Sequence, residues 1–487
     1  MFKRILLDKK KNKTISIVIT ILYFAINVFL ITRHEAWRDE SQAWTMAKNL
    51  TLVELFGVLP TEGHPCLWFL FIMPFAKLGL SFYHFSFISL LVMTIALYLF
   101  LEYSPFSLAV KVVVMFSSIF LYYNPVVARI YSLIALIVVL LSLFYKNRYD
   151  RPVLYGILIA LLFQTHVVAF GLAIGLTIDL LIEFFNNRSS RKLIISLGII
   201  LFSFICTVLE IMPRSSSPSG IDTSASGMLS KLKPSYIADK LSNFAYTTWG
   251  IPEGILTLIV YVLLIAMIVF IFVFITRNRK WNQNYRIIIT AVCGVGVFFG
   301  ILILVYTSHT QMSSILTMIL LFVLWQLYEN NKESNLKLVC VALLLSVSFL
   351  SFIVPQSMLR MDIDGYYSES RLVAGFIEDN IRDDGAVLIE NNINDSPVYS
   401  YVVSNRKDVK VYDLFNDEEF RFHKMGIEYR DIEISEVIRK AEELSDNEVY
   451  YLTYGQKDND KLQLIYTTSD VSSFINENYY LYKVGAE

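Results

Sequence analysis

The sequence predicts a polytopic α-helical membrane protein with about eleven transmembrane helices, followed by a small soluble α/β domain at the C-terminal end. Three observations predict this class: 55% of the 487 residues are hydrophobic, only 17% are charged, and the mean hydropathy is +0.52. The net charge of -1 carries little information, because the charged residues are segregated along the chain. We expect no nucleic acid partner.

The apolar runs and the basic clusters together set the number of spans. A helix needs roughly 20 apolar residues to cross a bilayer, so the shorter runs at 65–80 and 153–164 are ambiguous. All basic clusters fall on one side only if 153–164 crosses and 65–80 lies in the interface. We therefore predict a cytoplasmic N-terminus, an uncleaved first span, interfacial helices in the first outer loop and an extracytoplasmic C-terminus. The eleven predicted spans are residues 14–31, 83–101, 106–123, 126–145, 153–164, 167–185, 193–212, 255–276, 287–307, 312–328 and 336–354.

The composition changes sharply after Pro355, where charged and turn residues become frequent. This change divides the chain into a transmembrane domain, residues 1–355, and an extracytoplasmic α/β domain, residues 356–487. In the second domain the pattern predicts a helix over 368–381. Strand-like runs are predicted at 386–390, 397–403, 448–454, 462–468 and 479–484.

With this orientation, the unusual polar residues between the spans all lie on the outer face. Such an asymmetry predicts a working site at the outer membrane boundary. The chain has no phosphate-cradling glycine loop, no HExxH and no paired CxxC, so nucleotide binding and a zinc site have no sequence support. Each cysteine lies in or beside an apolar run and is interpreted as a small hydrophobic residue. The four are Cys66, Cys206, Cys293 and Cys340.

The stretch HEAWRDESQAW, residues 34–44, follows the first span and places Asp39 and Glu40 side by side. One interpretation makes Asp39 the N-cap of a helix that lies along the membrane. The other makes it a general base, since a partly desolvated carboxylate has a pKa raised towards the range of efficient proton abstraction. A capping residue is also a positioned one, so both interpretations remain open.

Two further motifs offer groups that bind a substrate. His64, in TEGHPCLW, faces the same boundary and has no obvious core to fill, while Glu62 is a weaker candidate. Arg129, in NPVVARIYSL, is expected about one turn inside the outer end of a span, with Tyr131 near enough to assist. An arginine there either snorkels to lipid phosphates or binds the phosphate of a lipid-linked substrate.

Two histidines stand at the outer ends of later spans. His166 lies in QTH and His309 in SHTQ. A lone histidine at a helix end is often a cap or an interface residue. Together with Arg129, the two could instead surround a leaving phosphate with hydrogen-bond donors.

The motifs RDESQAW, GHP, ARIYSL and QTH resemble those of GT-C superfamily glycosyltransferases, over roughly residues 10–355. The likeness is to the protein O-mannosyltransferase and aminoarabinose-transferase group. It implies a GT-C fold and inverting transfer of a sugar from a polyprenyl-phosphate donor to a hydroxyl of a glycan, lipid, cell-envelope polymer or protein. It also implies that Asp39 is the catalytic base, that Glu40 contacts the acceptor or a metal, and that Arg129 binds the donor phosphate.

We also expect the protein to contact membrane lipids. It is predicted to lie in a bacterial plasma membrane, with its active site on the extracytoplasmic face. Divalent-metal dependence varies within the superfamily and stays open, with Asp39 and Glu40 as the residues concerned. The sequence leaves two other functions open: a lipid-linked-sugar flippase or transporter, and a membrane scaffold that displays the C-terminal domain. A transporter would need ionisable residues near the midplane, and the predicted spans have few.

Overall fold

The computed structural model describes residues 9–186, 190–212, 230–252, 254–277, 280–305, 310–332, 334–353, 357–425, 430–444 and 448–485. Before residue 355 the described chain is almost entirely helical. Single turns of tighter or wider helix lie at Phe82–His84, Ile119–Tyr123, Tyr145–Asn147 and Val167–Ala169. The α-helices are α1 (Lys9–Arg33), α2 (Arg38–Asn49), α3 (Leu52–Glu62), α4 (Leu67–Lys77), α5 (Ser86–Tyr103), α6 (Leu108–Met115), α7 (Tyr131–Phe144), α8 (Pro152–Phe163), α9 (Phe170–Asn186), α10 (Arg191–Ile211), α11 (Pro234–Trp249), α12 (Ile255–Arg277), α13 (Trp281–Leu304), α14 (Thr310–Asn330) and α15 (Leu336–Ile353).

Six helical segments in the described part of the chain are long and apolar enough to cross a membrane. Four of the remaining five predicted spans contain shorter apolar helices, and the fifth, predicted at 106–123, is divided between α6 and the turn at Ile119–Tyr123. The fold is therefore that of a helical membrane protein. The six segments are Lys13–Arg33, Phe82–Tyr103, Val167–Asn186, Arg191–Ile211, Ile255–Arg277 and Asn284–Leu304.

The loop between α1 and α5, residues 34–85 and hereafter the first loop, is built from three short helices. α2 has 12 residues, and α3 and α4 have 11 each. At 1.5 Å per residue these helices are about 16–18 Å long, whereas the hydrocarbon core is about 30 Å thick. Each of these helices is therefore shorter than the hydrocarbon core is thick, as is α8 with its 12 residues, and whether residues 65–80 cross stays a prediction.

The C-terminal domain contains a six-stranded sheet with the strand order β3-β2-β1-β4-β6-β5. β1 pairs in parallel with β2 and β4, and the other pairs are antiparallel. Every residue of β1 and β4 is buried, as expected of central strands covered on both faces. The elements are α16 (Ser357–Asp364), α17 (Ser370–Asn380), β1 (Ala386–Ile389), α18 (Asp395–Asn405), β2 (Lys410–Asp413), β3 (Glu418–Glu419), α19 (Ile434–Glu443), β4 (Val449–Thr453), β5 (Leu462–Thr467) and β6 (Tyr480–Val484).

Most predicted elements of this domain are confirmed, but the strand predicted at 397–403 is wrong. That segment lies within helix α18. Asp395 stands in the first turn of the helix, where a carboxylate is favourable, and Val398, Tyr401 and Val402 are buried. Burial of this apolar face against α2 and α17 outweighs the strand preference of valine and tyrosine.

Candidate active site

A cavity of about 110 Å³ lies where the first loop, the segment before α7 and the C-terminal domain meet. Several of the residues predicted to act line it, although they come from distant parts of the chain. A concave site with a few convergent polar groups in an otherwise apolar wall is typical of a ligand-binding site. Its lining includes Asp39, Gln42, Glu62, His64, Trp68, Arg129, Thr165, Ile393 and Met425.

Asp39 lies in the first turn of α2, two positions after the N-cap, and so is not the N-cap residue that one interpretation predicted. The N-cap is Trp37, whose backbone is extended, and Glu40 closes the cap by accepting from the Trp37 backbone N–H at 3.3 Å. Because Glu40 completes the cap, the carboxylate of Asp39 remains available to the cavity. Its side chain is 27% exposed.

Arg129 lies two residues before α7. The prediction that it stands about one turn inside a helical span is therefore wrong. Its Nη1 donates to Oδ2 of Asp39 at 2.5 Å. The arginine side chain is only 19% exposed, so this ion pair is stronger than one at a free surface. The cavity therefore holds a cation beside a carboxylate at one end of its wall.

Glu40 does not line the cavity. It is completely buried, and its Oε1 accepts from the backbone N–H of Ala128 at 2.6 Å. Since Ala128 precedes Arg129, this bond fixes the segment that carries the arginine next to α2. The structure therefore gives Glu40 a positioning contact, and its predicted contact with acceptor or metal remains a prediction.

His34, which sequence analysis left without a role, lies beneath this part of the site. Its Nε2 is 3.0 Å from Glu40 Oε2 and its Nδ1 is 2.8 Å from Asp362 Oδ2, with all three side chains buried. The hydroxyl of Tyr122 donates to the same Asp362 oxygen at 2.6 Å. Burial lowers the pKa of His34, but attraction by Asp362 and Glu40 outweighs it and raises the pKa well above its usual value.

Glu62, the weaker candidate, is a prominent group of the cavity. The Gln42 side-chain amide donates to Glu62 Oε1 at 2.9 Å. Burial and, to a lesser extent, the nearby Asp39 carboxylate raise the pKa of Glu62 to about 7, against the opposing effects of Gln42 and Arg129. Near neutral pH the group is therefore present in both protonation states.

His64, His166 and Tyr131 form a row beside Arg129. The imidazole rings of His64 and His166 have centroids 5.3 Å apart, and the ring of Tyr131 lies 6.0 Å from that of His166. Burial and the Arg129 charge lower the pKa of His64 to about 4, and burial, His64 and Arg129 lower that of His166 well below its usual value. At neutral pH both rings are neutral, so neither supplies a charge for a phosphate.

The prediction that His166 is a cap residue agrees with its contacts. Its Nδ1 accepts from the backbone N–H of Val168 at 3.2 Å, at the start of a single helical turn. His309 lies outside the described residues. Among the described residues, no group of three or more His, Cys, Asp or Glu side chains is arranged to hold a metal ion.

The C-terminal domain closes one side of the cavity, which sequence analysis did not foresee. Ile393, after β1, and Met425 both line it. The domain also clamps Gln42: the carbonyl of His423 accepts from the Gln42 amide at 2.7 Å, and the His423 N–H donates to the Gln42 carbonyl at 3.2 Å. These contacts join residues 381 positions apart, and no local sequence signal marks such a pairing.

Comparison of the chain with protein-family models gives no match, and comparison with curated proteins gives none either.

Proposed function

We propose that the protein is an inverting glycosyltransferase that moves a sugar from a polyprenyl-phosphate donor to an acceptor hydroxyl at the outer face of the membrane. The observation that carries this proposal is the cavity in which Arg129, Asp39 and Glu62 converge beside helices of membrane-spanning length. A cation for a leaving phosphate and a carboxylate for a hydroxyl proton are the two groups that this transfer requires.

In the proposed reaction, the acceptor oxygen forms a bond to the anomeric carbon of the sugar as its O–H bond breaks. Asp39 takes the proton. The bond from the anomeric carbon to the phosphate oxygen breaks at the same time, and its electron pair stays on the phosphate. Arg129 stabilises this developing charge, and its pairing with Asp39 at 2.5 Å keeps the guanidinium in place before the donor arrives.

The proposal also fixes the arrangement in the membrane. All eleven predicted segments are then taken to traverse the bilayer or its edge, with the short helix α8 ending at the floor of the cavity beside His166. The first loop and the C-terminal domain contact each other directly, through pairs such as Ser41 with Ser400. They therefore lie on the same side of the membrane, which we assign to the outside.

The test of this function is transfer of radiolabelled sugar from a panel of polyprenyl-phosphate sugars by the purified protein, with Asp39→Asn as the key variant. We expect Asp39→Asn to lower the rate by a factor of about 10² to 10⁴, the range of a general base. Asp383→Asn, at a carboxylate that is 92% exposed in the C-terminal domain, is the matched control and should transfer at the wild-type rate.

A second variant separates the donor side from the proton-transfer step. Arg129→Ala should weaken binding of undecaprenyl phosphate, whereas Asp39→Asn should not abolish it. Transfer by Asp39→Asn at the wild-type rate would contradict the assignment of Asp39 as the base. If the wild-type protein consumes none of the polyprenyl-phosphate sugars in the panel, the proposed function itself is wrong.

A further inference from the structure

The wall of the cavity that faces the C-terminal domain has a chemistry of its own. Here the Gln42 amide donates to Glu62 Oε1 at 2.9 Å and to the His423 carbonyl, and so holds a carboxyl whose second oxygen can bind hydroxyl groups. Arg129 and Asp39, the groups assigned to the phosphate and to proton transfer, use neither of them for their own pairing. The reaction as proposed therefore leaves this polar pair without a task.

Trp68 adds a second, independent observation. Its indole lines the same cavity and is only 5% exposed, yet its Nε1–H has no hydrogen-bond acceptor among the described residues. A buried donor without a partner costs free energy, roughly 1–3 kcal/mol, unless a ligand or water satisfies it. An aromatic face next to a carboxyl and an amide suits a ring with one apolar face and several hydroxyl groups.

We infer that Gln42, Glu62 and Trp68, closed off by Ile393 and Met425 of the C-terminal domain, form the acceptor subsite, and that the acceptor is a saccharide. This inference rests on the proposed function. Glu62, held in place by Gln42, binds hydroxyls next to the reacting one, and Trp68 receives the apolar face of the ring.

The position and size of this subsite favour a saccharide over the other acceptors. The cavity is small, about 110 Å³, and its polar groups on this wall are a carboxyl and an amide, which suit a hydroxylated ring better than an acyl chain. An acyl-chain acceptor would approach from the bilayer, whereas Gln42 is held on the side of the water-soluble domain by the His423 backbone. Because Glu62 has a pKa of about 7, its carboxyl both donates to and accepts from hydroxyls near neutral pH.

The experiment measures binding of simple methyl glycosides to the detergent-solubilised full-length protein by saturation-transfer NMR. We expect at least one methyl hexopyranoside to bind, and Glu62→Gln to weaken that binding about tenfold. Met425→Trp, which fills the cavity without removing a hydrogen bond, should block it. Asp383→Asn should bind the glycosides and undecaprenyl phosphate as the wild type does, and Glu62→Gln should still bind undecaprenyl phosphate.

Three results would overturn the inference. The first is binding of methyl glycosides that Glu62→Gln and Met425→Trp leave unchanged. The second is that the wild-type protein binds none of these glycosides when undecaprenyl phosphate is present at a saturating concentration. The third is binding of a Ser/Thr tripeptide amide or of a diacylglycerol in place of the glycosides. Undecaprenyl phosphate binding that is unchanged in Arg129→Ala would contradict the proposed function instead, so the two failures are distinguishable.

Discussion

At the scale of single residues, His34 makes one of the buried polar contacts that join the first loop to the C-terminal domain. It lies between the buried carboxylates of Glu40 and Asp362, at 3.0 and 2.8 Å. We predict that His34→Ala lowers the free energy of unfolding by about 3–5 kcal/mol, because it leaves two buried negative charges without their cation. Thermal unfolding in detergent measures the effect. His84→Ala, at an exposed histidine of the same loop, is the control, and equal melting temperatures for both variants would contradict the prediction.

A second residue of this interface predicts how stability depends on pH. Burial raises the pKa of Glu35 to about 7, although its carboxylate accepts from the Tyr367 N–H at 2.7 Å. In the unfolded chain the pKa is near 4.5, so the folded protein binds the proton more tightly. The stability that this proton contributes is fully present below about pH 4.5 and is lost as the pH rises through 7.

We therefore expect the melting temperature of the wild type to fall between pH 4.5 and 7 more steeply than that of Glu35→Gln, which carries no titrating proton. A series of thermal melts across this range measures the difference between the two slopes. Parallel curves for the two proteins would show that Glu35 does not titrate in this window. The pKa of His34 is raised from its usual value of 6.5, so its own contribution to stability changes only at the upper end of this range and above it.

Three residues that the sequence motifs single out lie together in the structure. Asp39, Arg129 and His64 all line one cavity, as a carboxylate, an arginine and a histidine next to the membrane suggested. Glu62 received less weight and Gln42 none, because their placement in the cavity depends on tertiary contacts, such as that of Gln42 with a backbone carbonyl 381 residues away. Sequence patterns report local spacing, and they carry no information about which distant backbone satisfies a side chain.

At the scale of elements, α9 and α13 pack closely through small residues. A Cβ atom at Gly175 would lie 2.6 Å from the backbone of Thr290, and Gly171, one turn earlier, lies equally tightly against Cys293 and Gly294. This spacing of two glycines four residues apart allows two membrane helices to approach closely. The side chain of any other residue would force the helices apart.

We predict that Gly175→Ala destabilises the protein by about 1–3 kcal/mol, the usual cost of overpacking. Gly198→Ala in α10 is the matched control, because a Cβ atom there meets nothing within 4 Å. The control should melt at the wild-type temperature or slightly higher, since alanine favours a helix over glycine. Equal melting temperatures for Gly175→Ala and Gly198→Ala would show that the two helices do not pack as closely as described.

Element prediction failed where tertiary packing decided the conformation. α18 was predicted as a strand from its valines and tyrosines, yet it forms a helix whose Ser400 and Tyr401 contact the first loop. α6 and the turn at Ile119–Tyr123 interrupt what hydropathy alone described as one span. Both segments have an apolar composition that suits either state, so their neighbours determine the outcome.

At the scale of the whole molecule, the C-terminal domain is docked on the first loop and is not a free appendage. The hydroxyls of Ser41 and Ser400 are 3.0 Å apart in this interface. We predict that the double variant Ser41→Cys, Ser400→Cys forms a disulfide on mild oxidation, because the two side chains are within reach of the bond. Mass spectrometry of the digested protein detects the cross-link.

The control pairs Ser41→Cys with Ser404→Cys, one helical turn further along α18, where the serine accepts from the Phe82 N–H instead. This pair should not form a disulfide. Absence of the Ser41–Ser400 cross-link would mean that the domain does not dock as described. If the proposed transfer is observed, its retention in the cross-linked protein would show that the domain remains docked throughout the reaction.

The docking of His34 against Asp362 has a consequence for the biosynthesis of the protein. The two residues are 328 positions apart. At a translation rate of about 5–20 residues per second, roughly 15 to 65 s separate the synthesis of His34 from that of its partner. During this interval the nascent chain holds Asp39 and Arg129 but not the wall that Ile393 and Met425 complete. A chain that stops before residue 393 therefore lacks the wall that closes the cavity, however well its helices have already packed.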